Sequence, residues 1–178
     1  KIVDELTKQT TELNEPGFSA DSTVLDCFIA QFKVQIENAS FVVLGGSLPP
    51  GVPPDFYKFL IEIAKEKGVR SILDADGEAL LHGIEASPFA IKPNIHELEA
   101  FFGQSFSSDE QVVSAARTLI DKGIQYVAVS MGAKGSILID KDKAVRAMPF
   151  PIKPMSTVGA GDSMVATMVY CFLHNKSL

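Results

Sequence analysis

The segment Thr157-Val158-Gly159-Ala160-Gly161-Asp162 carries the most chemical information in the sequence. Small residues let a ligand approach the backbone closely, and amides at the start of a following helix point outward with partial positive charge. Amides of Gly159, Ala160 and Gly161 would then form an anion hole suited to a phosphoryl group in transfer. An acid beside such a hole, here Asp162, could accept the proton of an attacking hydroxyl. The plainer alternative is a glycine turn with Asp162 stabilising the helix start through the dipole. No Gly-Lys-Ser/Thr follows, so this is not a P-loop. It is not a dinucleotide fingerprint either, because Gly159 to Met164 lacks the third glycine.

Lys92-Pro93-Asn94-Ile95-His96-Glu97 also has two readings. Asn94 as a helix cap with Glu97 three residues on is a capping-box variant. Alternatively, Lys92, Asn94 and Glu97 surround nucleotide phosphates and Mg²⁺, with Glu97 acting through water because Mg²⁺ retains part of its shell. His96 reads as a solvated helix residue, and the spacing of the histidines does not suit zinc. Gly45-Gly46-Ser47-Leu48-Pro49-Pro50-Gly51 is either a turn into a proline-started helix or part of a site. Ser130-Met131-Gly132-Ala133-Lys134-Gly135 is either a tight link between strands or a backbone laid along a nucleotide.

The elements that must hold these loops follow from hydrophobic spacing. Ser19 is expected to cap a helix with the apolar face Val24, Leu25, Phe28, Phe32 and Ile36. Before it, Thr7–Leu13 reads as extended and Asn14–Gly17 as a turn. Phe41–Leu44 is a continuous apolar run expected to be a strand buried on both faces. Helices are expected at Asp55–Lys67, Glu78–His82, Ile95–Phe102 and Gln111–Lys122, the last opened by a capping box at Ser107–Glu110. Strands are expected at Val69–Leu73, Phe89–Ile91, Tyr126–Val129, Ile137–Ile139 and Val145–Met148, and a long buried helix near Gly159. Phe28, Phe32, Phe56, Phe59 and Phe101 sit at helical spacings and are expected in the core. This alternation implies one α/β domain over residues 1–178, with a mostly parallel sheet covered on both faces and an antiparallel late pair. Such sheets bind ligands beyond the carboxyl ends of their strands, where all the candidate loops fall.

Composition narrows the classes further. With 178 residues and 46% hydrophobic content, the chain can bury a sizeable core and is not disordered. A net charge of −6 offers no basic field to nucleic acid. Met164–Leu173 is too short to span a bilayer, and the start shows no signal peptide, so the default location is the cytoplasm. Cys27 and Cys171 lack a CxxC spacing and are expected to be buried thiols. The missing initiator Met and the stop close to a strong helix suggest a fragment of a longer polypeptide.

The order of the motifs is more telling than any one of them. Gly46-Ser47-Leu48-Pro49-Pro50-Gly51 comes first, then Leu73-Asp74-Ala75-Asp76-Gly77-Glu78-Ala79-Leu80, then Lys92-Pro93-Asn94-Ile95-His96-Glu97-Leu98. Val129-Ser130-Met131-Gly132-Ala133-Lys134-Gly135 and Val158-Gly159-Ala160-Gly161-Asp162-Ser163 complete the set. The series resembles the phosphofructokinase-B branch of the ribokinase-like sugar kinases over nearly the whole chain. Within that branch the wording is nearest the bacterial 1-phosphofructokinases, with tagatose-6-phosphate kinases next. The Leu73–Leu80 stretch and Thr11-Glu12-Leu13-Asn14 incline the reading to the former.

The resemblance implies a ribokinase-like fold and transfer of the ATP γ-phosphoryl to a ketohexose phosphate, fructose 1-phosphate first. It makes Asp162 the catalytic base and the amides of Gly159, Ala160 and Gly161 the anion hole. Asn94 and Glu97 would organise Mg²⁺ and the phosphates with Lys92 close by; Ser130, Gly132 and Gly135 would line the ATP groove; Ser47 would touch the phosphate already on the sugar. It also implies that the chain is the middle and ATP-side portion of a longer kinase, truncated at both ends. By the same resemblance, the N-terminal part expected beyond this chain carries the strands of a lid, which often builds a homodimer in the family. A binding module without catalysis on the same fold is the reading from another class.

Overall fold

The computed structural model describes residues 2–4, 10, 11, 15, 17–151 and 158–176. Two short strands, β1 (Ile2–Val3) and β2 (Thr10–Thr11), pair antiparallel. The main sheet has six strands in chain order. β3 (Phe41–Gly45), β4 (Arg70–Asp74), β5 (Ala90–Ile91) and β6 (Tyr126–Ser130) are parallel. β7 (Ser136–Ile139) and β8 (Ala144–Ala147) extend the sheet antiparallel, as expected for the late pair.

Helix α1 (Ser22–Gln35) precedes the sheet. Helices α2 (Phe56–Glu66), α3 (Gly77–Glu85), α4 (Ile95–Phe102) and α5 (Asp109–Ile120) fill the connections between its parallel strands. α6 (Ala160–Leu173) follows β8. Because parallel crossovers share one hand and the strands run in chain order, α2 to α5 gather on one face. There Leu73, Ile91, Val127 and Val129 pack with Leu60, Ile61, Leu98 and Leu119. The alternate strand residues Ile72, Ala90 and Ala128 face the other way and meet Val165 and Met168 of α6. Period-two alternation thus divides one sheet between two helical layers. Among the described residues, no helix is long and apolar enough to cross a membrane.

Several local expectations need correction. The cap of α1 is Asp21, whose carboxylate accepts the Val24 N–H at 2.9 Å, and not Ser19. The chain is still tied down at that point, because the Ala20 N–H donates to the Pro50 carbonyl. α1 buries none of its residues, so Phe28 is 48% exposed, and on α2 Phe59 is 41% exposed. Neither is core; Phe32, Phe56 and Phe101 are half-buried. Cys27 is exposed for the same reason, and Cys171 is intermediate. β3 is the edge of the described sheet, so Val43 faces solvent and the strand is not buried on both faces. α6 buries only Val165 and Met168, and leaves Tyr170 and Leu173 exposed. Ser108 caps α5, yet Gln111 reaches back to Ser107 and closes no box with Ser108. The stretch Thr7–Leu13 and the turn Asn14–Gly17 fall mostly outside the described residues, as do Thr157 and Ser156.

Candidate active site

Parallel register creates the centre of the site. Leu73 of β4 pairs with Ile91 of β5, so the next residues, Asp74 and Lys92, emerge side by side at the carboxyl end of the sheet. The Lys92 ammonium lies 2.9 Å from Asp74 Oδ1, and Lys92 as a whole is only 6% exposed. A buried cation is retained where a counter-charge offsets its desolvation, and Asp74 supplies it.

The start of α6 comes to the same point. Gly159 caps this helix in the left-handed region at φ 77°, and Ala160, Gly161 and Asp162 form its first turn. A Cβ built on Gly161 would lie 3.3 Å from Lys92 Nζ and 3.7 Å from Asp74 Oδ2. Glycine is therefore what lets the helix N-terminus and the ammonium approach each other. Asp162 is exposed, one residue beyond that contact. Ser163, the next residue, directs its hydroxyl back to the Gly159 carbonyl at 2.8 Å and braces the turn.

Asn94 and Glu97 form the full capping box. The Asn94 side chain accepts the Glu97 N–H at 2.9 Å, and Glu97 Oε2 accepts the Asn94 N–H at 2.7 Å. Asn94 Nδ2 also donates to Glu97 Oε1. The structural reading of this pair is realised, and it leaves the carboxylate half-buried at a fixed angle. Burial pushes the Glu97 carboxyl above its ordinary pKa; the Asn94 N–H and the Lys92 charge pull the other way, and Asp74 and Asp76 add to the rise. A cleft of about 300 Å³, lined by Gly77, Leu80, Asn94, His96, Glu97 and Phe101, opens beside it. Each Glu97 oxygen, holding one hydrogen bond, keeps a lone pair for a water there. Hard oxygen donors with room for water suit a Mg²⁺ that its ligand phosphates mainly hold. His96 is solvated, as expected, with Glu99 nearby.

Ser130 joins the same edge: its N–H donates to the Pro93 carbonyl at 3.0 Å, and it forms a parallel bridge with Asn94. Beyond it, Gly132 to Lys134 make one turn of 3₁₀ helix. Gly135 has φ 89°, and a Cβ there would lie 2.1 Å from the Ala147 carbonyl oxygen. The contact that demands glycine at this position is with β8. Ser47 is exposed in the loop after β3, and the Gly46 N–H just before it donates to the Asp74 carbonyl. The structure therefore draws Lys92, Gly161, Asn94, Glu97 and Ser130 around the ends of β4 to β6, with Ser47 one residue beyond a tie to Asp74. Gly132 and Gly135 belong to a turn packed toward β8.

Two residues of this region have no individual role in the sequence reading: Asp74, there only part of a candidate loop and here the partner of Lys92, and Tyr57, whose hydroxyl meets the Gly45 and Gly46 carbonyls. An acid ending a strand next to one that ends in lysine was the available signal for the first. The second had none beyond a tyrosine in an apolar helix face.

The pfkB family of carbohydrate kinases matches residues 3–178. The 1-phosphofructokinase of Rhodobacter capsulatus is 42% identical over 172 residues, covering 96% of this chain and 54% of that protein. ATP-dependent 6-phosphofructokinase isozyme 2 of Escherichia coli is 37% identical over 82% of this chain and 48% of its own length. The crystal structure of Escherichia coli phosphofructokinase-2 in complex with substrates and products superposes with a TM-score of 0.90 at 33% identity. That superposition covers 98% of this chain and 57% of the other. The chain spans about half the length of the curated relatives it matches. The likeness read from the motif order thus extends along the whole sequence and its fold, and the chain belongs to the pfkB family of carbohydrate kinases.

Proposed function

We propose that the full-length protein transfers the γ-phosphoryl of ATP to the 6-hydroxyl of fructose 1-phosphate, giving fructose 1,6-bisphosphate and ADP. The observation that carries this reading is the buried Lys92 ammonium set against Gly161 at the start of α6, one residue before Asp162. Helix N-terminal amides and an exposed carboxylate on one turn, with an ammonium from the end of a neighbouring strand set against that turn, are what phosphoryl transfer to a hydroxyl requires. The choice of sugar follows the 42% identity to a 1-phosphofructokinase. This chain would supply the middle and ATP-side portion of that enzyme, as one α/β domain.

In the mechanism, Asp162 accepts the proton of the 6-hydroxyl as its oxygen bonds to the γ-phosphorus, and the bond from that phosphorus to the bridging oxygen of ADP breaks. Amides of Gly159, Ala160 and Gly161, with Lys92, hold the charge that spreads over the transferred group. Asp74 keeps Lys92 in place. Glu97, through water, and Asn94 would hold Mg²⁺, whose chemistry there is neutralisation of phosphate charge. Ser130 borders the nucleotide side together with the Gly132–Gly135 turn, and Ser47 contacts the phosphate already on the sugar. The substrates are cytoplasmic metabolites, and we place the enzyme there, as a homodimer built through the part of the protein outside this chain.

The test is ADP release by the full-length protein with fructose 1-phosphate, fructose 6-phosphate and tagatose 6-phosphate in parallel. The expected result is the highest kcat/KM for fructose 1-phosphate. A higher value for fructose 6-phosphate would assign it the specificity in the name of the Escherichia coli isozyme. No turnover with any of the three, alongside measurable nucleotide binding, would make it a binding module.

A further inference from the structure

Tyr57, near the start of α2, is 8% exposed and shares a buried helix face with Leu60, Ile61 and Ala64. Phenylalanine would fill that space equally well, so the hydroxyl calls for its own explanation. It donates toward the carbonyl of Gly45 at 2.8 Å and toward that of Gly46 at 3.0 Å. Two consecutive carbonyls converge on one proton. They can do so because Gly46 has φ 90°, a region that favours glycine. From the opposite side, the Gly46 N–H donates to the Asp74 carbonyl at 3.1 Å. Gly45 lies so close to Asp74 that a Cβ on it would stand 3.0 Å from that same oxygen. The two residues leading into Ser47 are thus held between the end of β4 and the Tyr57 hydroxyl. Burial first, then the charges of Asp76 and Asp74, push the phenol above its ordinary pKa of 10.0, which favours the protonated, donating form.

We propose that Tyr57 is a positioning residue for the sugar phosphate: its hydroxyl fixes the Gly45 and Gly46 peptides and thereby presents Ser47 to the ligand. The proposal deepens the function given above and rests on it for the ligand's identity. Tyr57 makes no direct contact with Lys92 or Asp162, which serve the transferred phosphoryl; the link to Lys92 runs only through Asp74, which meets Gly46 with its main-chain carbonyl and Lys92 with its carboxylate. Loss of the hydroxyl should therefore be felt mainly on the sugar side.

The test is Tyr57→Phe in the full-length protein, with Ser47→Ala and the double variant beside it. KM for fructose 1-phosphate should rise about three- to tenfold, the effect of one neutral hydrogen bond, while KM for ATP stays within about twofold. If Tyr57 acts through Ser47, the double variant should raise KM by less than the product of the single effects. Hydrogen exchange in the unliganded protein should quicken at the amides of residues 46 and 47 in Tyr57→Phe. An unchanged KM for fructose 1-phosphate in an active variant overturns the proposal and leaves the kinase function standing. A parallel rise in both KM values with a lowered Tm also overturns it, since a merely structural role would do that. Should the wild-type protein fail to use fructose 1-phosphate, the proposed function falls with the ligand named here. Unchanged exchange would separately show that the hydroxyl does not hold the loop.

Discussion

Gly161→Ala separates stability from catalysis in a way few substitutions can. Gly161 lies in the first turn of helix α6, where the better helix propensity of alanine, at most about 1 kcal/mol, offsets part of the strain brought by the new methyl, so the fold should survive with at most a modest change in Tm. The new methyl, however, would stand 3.3 Å from Lys92 Nζ and 3.5 Å from its Cε. That is tight enough for the ammonium to give way by a few tenths of an ångström. Lys92 has little room to do so, being 6% exposed and tied to Asp74 at 2.9 Å. Displacement of a group that positions the phosphoryl should lower kcat about ten- to a hundredfold, or roughly 1.4–2.7 kcal/mol of barrier. The assay is steady-state ADP release by the full-length variant at saturating substrates, paired with a thermal melt. A normal melt with kcat unchanged would refute the reasoning, because the ammonium would then have no part in transfer.

Glu97→Gln keeps an acceptor for the Asn94 N–H but gives up the contact with Asn94 Nδ2, so Tm should fall only slightly, while the Mg²⁺ concentration for half-maximal rate rises severalfold. An unchanged Mg²⁺ titration would leave Glu97 a cap alone. Gly135→Ala sets a Cβ 2.1 Å from the Ala147 carbonyl at a φ of 89°, and should destabilise the full-length protein by about 1–3 kcal/mol in chemical denaturation. Wild-type stability there would show that β8 yields, and would return Gly135 to a purely ligand-facing role.

Legibility in the sequence followed the range of the interactions. Helix α4 was placed at Ile95–Phe102, residue for residue, because its cap, Asn94, and its box partner, Glu97, lie within one turn. Strands β4 to β6 were found within about a residue, since each centres on apolar residues, Ile72-Leu73, Ala90-Ile91 and Val127 to Val129, followed at once by a polar one. Burial in α1 was misjudged because spacing defines a face without saying what covers it, and nothing among the described residues fully buries Phe28. Its cap was misplaced because Ser19 and Asp21 are both good capping residues, and only the backbone geometry decides between them. Asp74 went unassigned because its link to Lys92 depends on strand register across 18 positions of chain, which no local pattern carries. The Tyr57 hydroxyl was hidden likewise: its partners belong to the turn after β3, and the apolar face of α2 accounts for the ring alone.

The most direct measurement compares ADP release from fructose 1-phosphate by the full-length protein and by its Asp162→Asn variant, with ATP binding measured on both. Asparagine has nearly the same shape as aspartate but is no proton acceptor. The expected result is a fall in kcat of about 10²–10⁴-fold with ATP affinity kept within a few fold. A variant that retains most of its turnover would contradict the account, since the carboxylate at the start of α6 would then not be the base.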